Sequence, residues 1–199
     1  MKVVILFICL IVILLCLCFT KPVEKFSNME EKCDVYLISN KNDMTQEYKD
    51  KMNNLALNPN DKVVRFNHSG NDDIIPDRTD IAVFRNNKYN YWGHTEPIWK
   101  NLRNSEVLLL GRNKNTDSSI KELEKNNNKV QLVEYGTINN KTESSGKIAI
   151  SYLLNKDYID KIYLIGFDFY KGVNNWHNFK EEENFVNDHS KKIIHLKTF

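Results

Sequence analysis

The hydrophobic positions of this chain fall into short runs that are separated by polar, turn-forming segments. Such runs of apolar, β-branched and aromatic residues predict buried strands, and they occupy residues 34–39, 62–66, 81–85, 107–110, 130–133 and 161–165. Segments of helical composition occupy residues 44–57, 97–103, 118–126, 147–155 and 179–188. Strands that are apolar on both faces and alternate with helices indicate a parallel sheet with helices on both sides. The pattern therefore predicts an α/β, doubly wound domain with a mainly parallel sheet.

The longest apolar run lies at the N-terminus, over residues 3–19, and lysines flank both of its ends. About 20 apolar residues are needed to cross a bilayer. A cleaved signal peptide has a shorter apolar region and small residues at its cleavage site, and this run lacks such an ending. We therefore expect a single-pass membrane protein with an uncleaved signal anchor over residues 1–21, a short stem over 22–31 and one translocated domain over 32–199.

The charge and the cysteine content of the chain bear on two questions: whether it binds nucleic acid and whether its domain contains a disulfide. The formal net charge is +2 and the lysines are interleaved with acidic residues. We expect no nucleic-acid partner, because proteins that bind nucleic acid carry a basic patch or stripe. Three of the four cysteines lie in the apolar run, which leaves Cys33 as the single cysteine of the domain. No disulfide is therefore expected inside the domain.

The sequence also lacks the common metal and cofactor motifs. It has no Asp-x-Asp pair, no cysteine and histidine spacing typical of a metal site, no Gly-x-Gly-x-x-Gly and no P-loop. We expect neither a metal nor a cofactor.

A serine-rich segment precedes the last helix but one. A serine at the N-cap accepts a hydrogen bond from the first turn, and the sequence Ser144-Ser145-Gly146 offers both a cap and a glycine. The glycine lets a ligand approach the remaining amides at the positive end of the helix dipole. These three residues predict an anion-binding site, and an ordinary helix cap is the simpler alternative.

Polar residues follow three of the predicted strands. Asn40 and Asn67 each follow a strand directly, and Gly166 opens the segment GFDFY after the strand at 161–165. Ligands bind at the carboxyl ends of the strands in open parallel sheets, so we expect Asn40, Asn67 and the whole segment 166–170 to gather around one crevice. An asparagine amide can donate to and accept from a base, a ribose or a phosphate. Turn formation is the alternative role for both asparagines.

Two residues near the start of the last predicted helix are candidates for catalysis. His177 precedes the helix and Glu182 lies within it. Near neutral pH a histidine can take a proton from an attacking hydroxyl, and a nearby carboxylate can orient its ring. His189 is the rival base, because it also follows the GFDFY segment. A solvated histidine before an acidic helix is the equally simple alternative.

Three segments, taken in order, resemble the sialyl motifs of family-29 sialyltransferases. The long motif of that family opens with a cysteine, a strand and an asparagine and closes with Val-x-Arg-x-Asn, and residues 33–40 (CDVYLISN) and 63–67 (VVRFN) are similar to these ends. The small motif is similar to residues 144–146 with the following helix, strand and Gly-Phe at 166–167. The very small motif, His-x4-Glu, is similar to residues 177–182 (HNFKEE).

This resemblance implies a fold, a reaction and a set of residue roles. The fold would be a Rossmann-like variant of the glycosyltransferase A type, and the reaction a metal-free, inverting transfer of sialic acid from CMP-sialic acid to a hydroxyl of a glycan acceptor. Asn40 and Asn67 would bind the nucleotide and phosphate, Gly166 and residues 144–146 would bind the donor, and His177 would be the base. A eukaryotic or viral member would have its domain in a Golgi-like lumen of the secretory pathway.

The chain also departs from the family pattern. The family pairs the cysteine of its long motif with one in the small motif, and Cys33 has no such partner in the sequence. The chain is also short, so acceptor-recognising insertions are missing. Two alternatives therefore stay open: a transferase that uses another nucleotide-sugar donor, and a catalytically inactive, membrane-tethered protein that binds nucleotides or glycans.

Overall fold

The computed structural model describes residues 31–40, 43–67, 73–76, 78–85, 105–111, 116–134, 137–138, 141–169 and 177–197. The expected anchor over residues 1–21, nearly all of the stem and the helix expected over 97–103 lie outside these residues. Within them, no helix has both the length and the apolar content that a bilayer crossing requires.

Seven of the described strands form one parallel sheet. The strands in chain order are β1 (Cys33–Ile38), β2 (Lys62–Phe66), β3 (Ile81–Arg85), β4 (Glu106–Leu110), β5 (Lys129–Val133), the short β6 (Thr137–Ile138) and β7 (Lys141–Thr142), β8 (Ile159–Ile165) and β9 (Ile193–Leu196). The sheet has the order β5-β4-β3-β2-β1-β8-β9, and every neighbouring pair in it is parallel. β6 and β7 pair only with each other and are antiparallel.

Four helices lie in the described part of the chain: α1 (Gln46–Asn53), α2 (Thr116–Lys125), α3 (Ser145–Leu154) and α4 (Phe179–Asp188). Three of them begin at a residue whose side chain accepts a hydrogen bond from the first turn, namely Thr45, Ser144 and Asn178. Threonine, serine and asparagine are favoured at this position because they satisfy amides that have no partner within the helix.

Helices α3 and α4 pack on one face of the sheet. Leu37 of β1 belongs to the same buried cluster as Ile150 of α3 and Val186 of α4. Successive side chains of a strand point to opposite faces, so the neighbouring Ile38 points to the other face, where it packs with Tyr48 of α1. The two faces of β1 are therefore covered by different helices.

Helix α2 covers the outer strands on the same face as α1. Leu123 of α2 is completely buried against Ala82 of β3 and Leu109 of β4. The sheet register runs from Ile38 to Arg65 and then to Ala82, which places Ala82 on the α1 face. The predicted α/β class, with a parallel sheet between helices, is confirmed.

The differences from the predicted elements have local causes. The helix expected over 44–57 extends only over Gln46–Asn53, because Thr45 caps it and the chain turns after Asn53. The strand β9 was not predicted: its four residues, IIHL, are too short and too similar to a helix end to stand out. The short β6–β7 ladder was also not predicted, since only two residues of each strand pair.

The order of the strands locates the candidate ligand site. From β1 the chain passes to β2 on one side, and it later returns to β8 on the other side of β1. The connection after β1 and the connection after β8 leave the carboxyl end of the sheet in opposite directions, which opens a crevice between these two strands. This crevice is where the fold leaves room for a ligand.

The single cysteine of the domain lies inside the core. Cys33 is free and buried at the start of β1, and burial raises the pKa of its thiol above the ordinary value. A buried thiol with a raised pKa is a poor nucleophile, because the thiolate is the reactive form. Cys33 therefore acts as a small apolar core residue.

A buried arginine at the end of β2 holds the loop that follows. Arg65 is 7% exposed. Its Nη2 donates to the carbonyl oxygens of Ile74 and Ile75 at 2.7 and 2.8 Å, and its Nε donates to the carbonyl oxygen of Arg78 at 3.1 Å. A planar guanidinium can donate to several acceptors at once in a fixed geometry.

We expect Arg65→Lys to lower the free energy of unfolding by about 2–3 kcal/mol, because lysine cannot reach all three carbonyls and leaves buried acceptors unsatisfied. Urea unfolding measures the loss. Lys49→Ala is the control, since Lys49 binds Asp73 near the same loop at the surface, at 2.8 Å, and surface ion pairs contribute about 0–1 kcal/mol. Equal losses in the two variants would contradict this role of Arg65.

Candidate functional site

A cavity of about 500 Å³ opens at the carboxyl edge of the sheet, beside the ends of β1, β2 and β8 and the starts of α3 and α4. Its lining includes every predicted donor-binding residue and both preferred catalytic residues: Asn40, Asn67, Ser144, Ser145, Gly146, Gly166, His177 and Glu182. These residues come from segments far apart in the sequence. The fold brings them to one site.

The start of α3 is fixed by a carboxylate from α4. The Ser144 amide donates to Oε1 of Glu182 at 2.8 Å, and the Ser144 hydroxyl donates to Oε2 at 2.5 Å. Ser144 Oγ also accepts from the amide of Lys147 at 3.1 Å, as an N-cap does. Glu182 is 5% exposed, so this carboxylate is buried with both oxygens bonded. Glu182 therefore positions the helix start, and both donors of Ser144 are in use.

Two amides at the start of α3 remain available for a ligand. In the part of the chain that the structure describes, the backbone N–H groups of Ser145 and Gly146 donate to no acceptor. The first amides of a helix lie at the positive end of its dipole and bind anions. The Ser145 hydroxyl oxygen accepts from Nε of Arg85 at 3.0 Å, which brings a guanidinium next to this helix start.

Gly146 allows close packing between α3 and the end of β8. A Cβ atom at Gly146 would lie 2.8 Å from Cε1 of Phe167, closer than real Cβ contacts. Any larger residue would push the ring of Phe167 away from the helix start. The two free amides and the Phe167 ring are thus adjacent parts of the cavity lining.

The segment after β8, residues 166–169, is held from several sides and is called the edge segment here. The Gly166 amide donates to the Tyr48 hydroxyl at 3.0 Å, and that hydroxyl donates to the Leu196 carbonyl oxygen at 2.7 Å. Burial raises the pKa of Tyr48, which keeps the hydroxyl protonated. The Ser39 hydroxyl donates to the Gly166 carbonyl oxygen at 2.6 Å.

Glycine is required at position 166. Its φ is 72°, a left-handed conformation that residues with a Cβ rarely adopt. A Cβ there would also lie 2.6 Å from Sδ of Met44. Gly166 therefore shapes the cavity through its backbone.

The two predicted asparagines lie on adjacent strand ends. Asn67 has a φ of 49°, and asparagine is among the few residues that adopt this conformation readily. The backbone N–H of Asn67 donates to the Val83 carbonyl oxygen at 2.8 Å. Asn40 is exposed at the end of β1. Both residues line the cavity, so their turn roles and a ligand role are compatible.

The structure separates the two candidate bases. His177 lines the cavity, and its ring centroid lies 5.5 Å from that of Phe179. His189 is exposed at the C-cap of α4, where its Nδ1 bonds the Phe185 carbonyl oxygen at 2.7 Å. His177 and His189 lie at opposite ends of α4, and a helix of its length spans about 15 Å. His177 is therefore brought together with the other candidates, and His189 is not among the cavity residues.

The apolar lining was predicted only in part: Phe167 and Phe169 belong to the segment 166–170 that was expected at the crevice, and the other lining phenylalanines were missed. Five phenylalanines line the cavity and are called the phenylalanine wall here: Phe66, Phe167, Phe169, Phe179 and Phe185. They come from two strand ends and one helix, where an apolar residue is expected to be core. No sequence signal separates Phe66, Phe179 and Phe185 from ordinary core residues.

The lining also includes two carboxylates, of which Asp43 was missed by sequence reasoning. Asp43 and Asp168 follow β1 and β8 and face the same cavity. Asp168 lies inside the GFDFY segment, so its position after a strand was the available signal. Among the described residues, no group of three or more His, Cys, Asp or Glu side chains is arranged to hold a metal ion.

Comparisons with known proteins add no name to this arrangement. No protein-family model matches the chain, and no curated protein matches it.

We expect Ser144 and Glu182 to be energetically coupled. Ser144→Ala and Glu182→Gln should each lower the free energy of unfolding by about 2 kcal/mol, because the first removes a cap and the second a charged acceptor. The double variant should lose about 1–2 kcal/mol less than the sum of the single losses. Urea unfolding of the four proteins measures this coupling.

Thr45→Ala serves as the matched control for that cycle. Thr45 caps α1, on the other face of the sheet, by accepting from the Tyr48 amide at 3.2 Å. Its loss should cost about 1 kcal/mol and should add to that of Glu182→Gln. Additive losses for the Ser144 pair as well would show that the bond between Ser144 and Glu182 contributes nothing.

Proposed function

We propose that this protein is an inverting glycosyltransferase that resembles the family-29 sialyltransferases. It transfers sialic acid from CMP-sialic acid to a hydroxyl of a glycan acceptor and works without a metal. Its fold is the Rossmann-like variant of the glycosyltransferase A type. Residues 1–21 would anchor it in a membrane, and in a eukaryotic or viral member the domain would lie in the lumen of the secretory pathway.

One observation carries the proposal: the three motif-like segments meet at a single cavity. Asn40 and Asn67 come from the long motif, Gly146 from the small motif and His177 from the very small motif, and all four line the same space. The cavity lies beside the point where the strand order reverses, which is where open parallel sheets bind ligands. A parallel sheet brings strand ends and helix starts to this edge in any case, and the meeting of all three motif-like segments at one cavity is what the resemblance requires.

The available hydrogen-bond donors support a role in holding a phosphate. The amides of Ser145 and Gly146 would bind the phosphate of the donor, which carries the charge of the leaving group. Both donors of Ser144 are directed to Glu182, so we assign Ser144 and Glu182 the task of positioning these amides. Asn40 and Asn67 would bind the nucleoside with their side-chain amides.

The chemical step would be a single displacement. The acceptor oxygen attacks the anomeric carbon from the side opposite the nucleotide, the bond from that carbon to the phosphate oxygen breaks, and CMP leaves with the electron pair. His177 takes the proton of the acceptor hydroxyl. General-base catalysis of this kind contributes about 10²–10⁴-fold in rate.

The charge of the cavity favours one alternative. Asp43 and Asp168 line the space with His177 and Lys147, and Lys147 is paired with Glu143. Two carboxylates near the sugar would repel the carboxylate of sialic acid, which favours a transferase of similar architecture whose donor carries a neutral sugar. A donor screen with CMP-sialic acid, UDP-sugars and GDP-sugars distinguishes the two.

We expect the full-length protein to bind CMP more tightly than CDP, UDP or GDP in calorimetry, and to do so equally well in EDTA. The amide pair accommodates one phosphate, and no metal is needed to bridge a diphosphate. Preference for UDP or GDP would contradict CMP-sialic acid as donor. CMP binding without product from any acceptor would identify an inactive nucleotide-binding protein.

We expect His177→Ala to lower the transfer rate by about 10²–10⁴-fold and to leave CMP affinity within about threefold, since loss of a proton acceptor affects mainly the chemical step. His189→Ala is the matched control and should keep most of the activity, because His189 lies outside the cavity lining. Initial rates with saturating donor measure both. Loss of activity in His189→Ala alone would reverse the assignment of the base.

A further inference from the structure

The last described strand, β9, does not line the cavity, but it contacts the edge segment that does, although it lies beyond all of the motif-like segments. The ladder between β8 and β9 ends with the pair Ile165 and Leu196. Backbone bonds from β9 therefore stop before the edge segment. Beyond this pair, the side chain of His195 in β9 bonds the edge segment.

We propose that His195 is a positioning residue: it holds the edge segment against the start of α3, at the candidate site. This inference rests on the function proposed above. His195 Nε2 bonds the Phe167 carbonyl oxygen. Its ring also packs edge-on against the Phe169 ring, with centroids 5.4 Å apart and an interplanar angle of 80°. His195 thus contacts two members of the phenylalanine wall at once.

The edge segment needs such support because its backbone is unfavourable. Phe169 has a φ of 46°, which a bulky residue adopts only where its surroundings enforce it. Ser39 and Tyr48 hold Gly166 at one end of the segment. His195 holds the other end.

The ring of Phe167 lies between His195 and the start of α3. Phe167 lies directly against Gly146, and Gly146 carries one of the two free amides. His195 faces the same side of the sheet, since its register partner Leu164 belongs to the core cluster that includes α3. The contacts run from His195 to Phe167 and from Phe167 to Gly146.

The chemistry of the bond defines the variant that can replace His195. A carbonyl oxygen only accepts, so Nε2 carries the proton. Glutamine presents an N–H donor at a similar distance from its Cα, whereas leucine keeps much of the volume and has no donor. His195→Gln therefore keeps the bond to Phe167, and His195→Leu removes it.

Native-state cleavage by chymotrypsin tests the positioning role. Chymotrypsin cleaves after phenylalanine, and cleavage of a folded protein follows the population of the locally open form. We expect His195→Leu to raise the rate of cleavage after Phe167 by about tenfold, as the loss of one partly buried hydrogen bond predicts, and His195→Gln to stay near wild type. His189→Leu is the control and should leave this cleavage unchanged.

Calorimetry with CMP tests the consequence for the site, using the same full-length proteins. We expect His195→Leu to weaken CMP about tenfold and His195→Gln to restore most of the affinity. Unchanged cleavage in His195→Leu, or equal effects of leucine and glutamine, would overturn the proposal, as would faster cleavage with unaltered CMP affinity. If the wild type binds no nucleotide, the proposed function fails, and the cleavage experiment alone decides whether His195 holds the edge segment.

Discussion

The architecture of the candidate site depends on one buried carboxylate that lies at the start of two helices. Glu182 is in the first turn of α4, and its oxygens accept both donors of Ser144, the N-cap of α3. An isolated buried charge would be costly. Here two hydrogen bonds and the positive ends of two helix dipoles stabilise it. The same contacts fix the distance between the unbonded amides of α3 and the histidine that precedes α4.

The sheet and the helices impose different demands on the edge segment, and its sequence satisfies both. The sheet requires β8 to end beside β1 and β9, where Ser39 and His195 bond the segment. Helix α3 requires space at its first turn, which Gly146 provides by having no side chain. The left-handed backbone at Gly166 and at Phe169 lets the edge segment meet both requirements. A cavity wall with this much local strain keeps its shape only because neighbouring elements hold it from two sides.

The sequence was informative wherever a local rule determines the structure. Continuous apolar runs identified β2 and β3 with the observed bounds, and a serine before an apolar helix identified the cap of α3. The remaining features depend on contacts between distant residues. The pairing of Glu182 with Ser144 spans 38 positions, and His195 meets Phe167 across 28. Neither contact leaves a pattern in the residues that flank it.

The charges of the cavity determine how a ligand would be oriented in it. Lys147 is engaged with Glu143 and its ammonium lies 5.3 Å from the Phe185 ring centroid, so the unbonded amides of Ser145 and Gly146 are the main attraction for an anion. Amide dipoles held in place need no rearrangement as charge develops on a leaving phosphate. Carboxylates elsewhere in the lining repel that phosphate and accept from hydroxyls. Under the proposed function, the phosphate of the donor would therefore lie at the start of α3, away from these carboxylates.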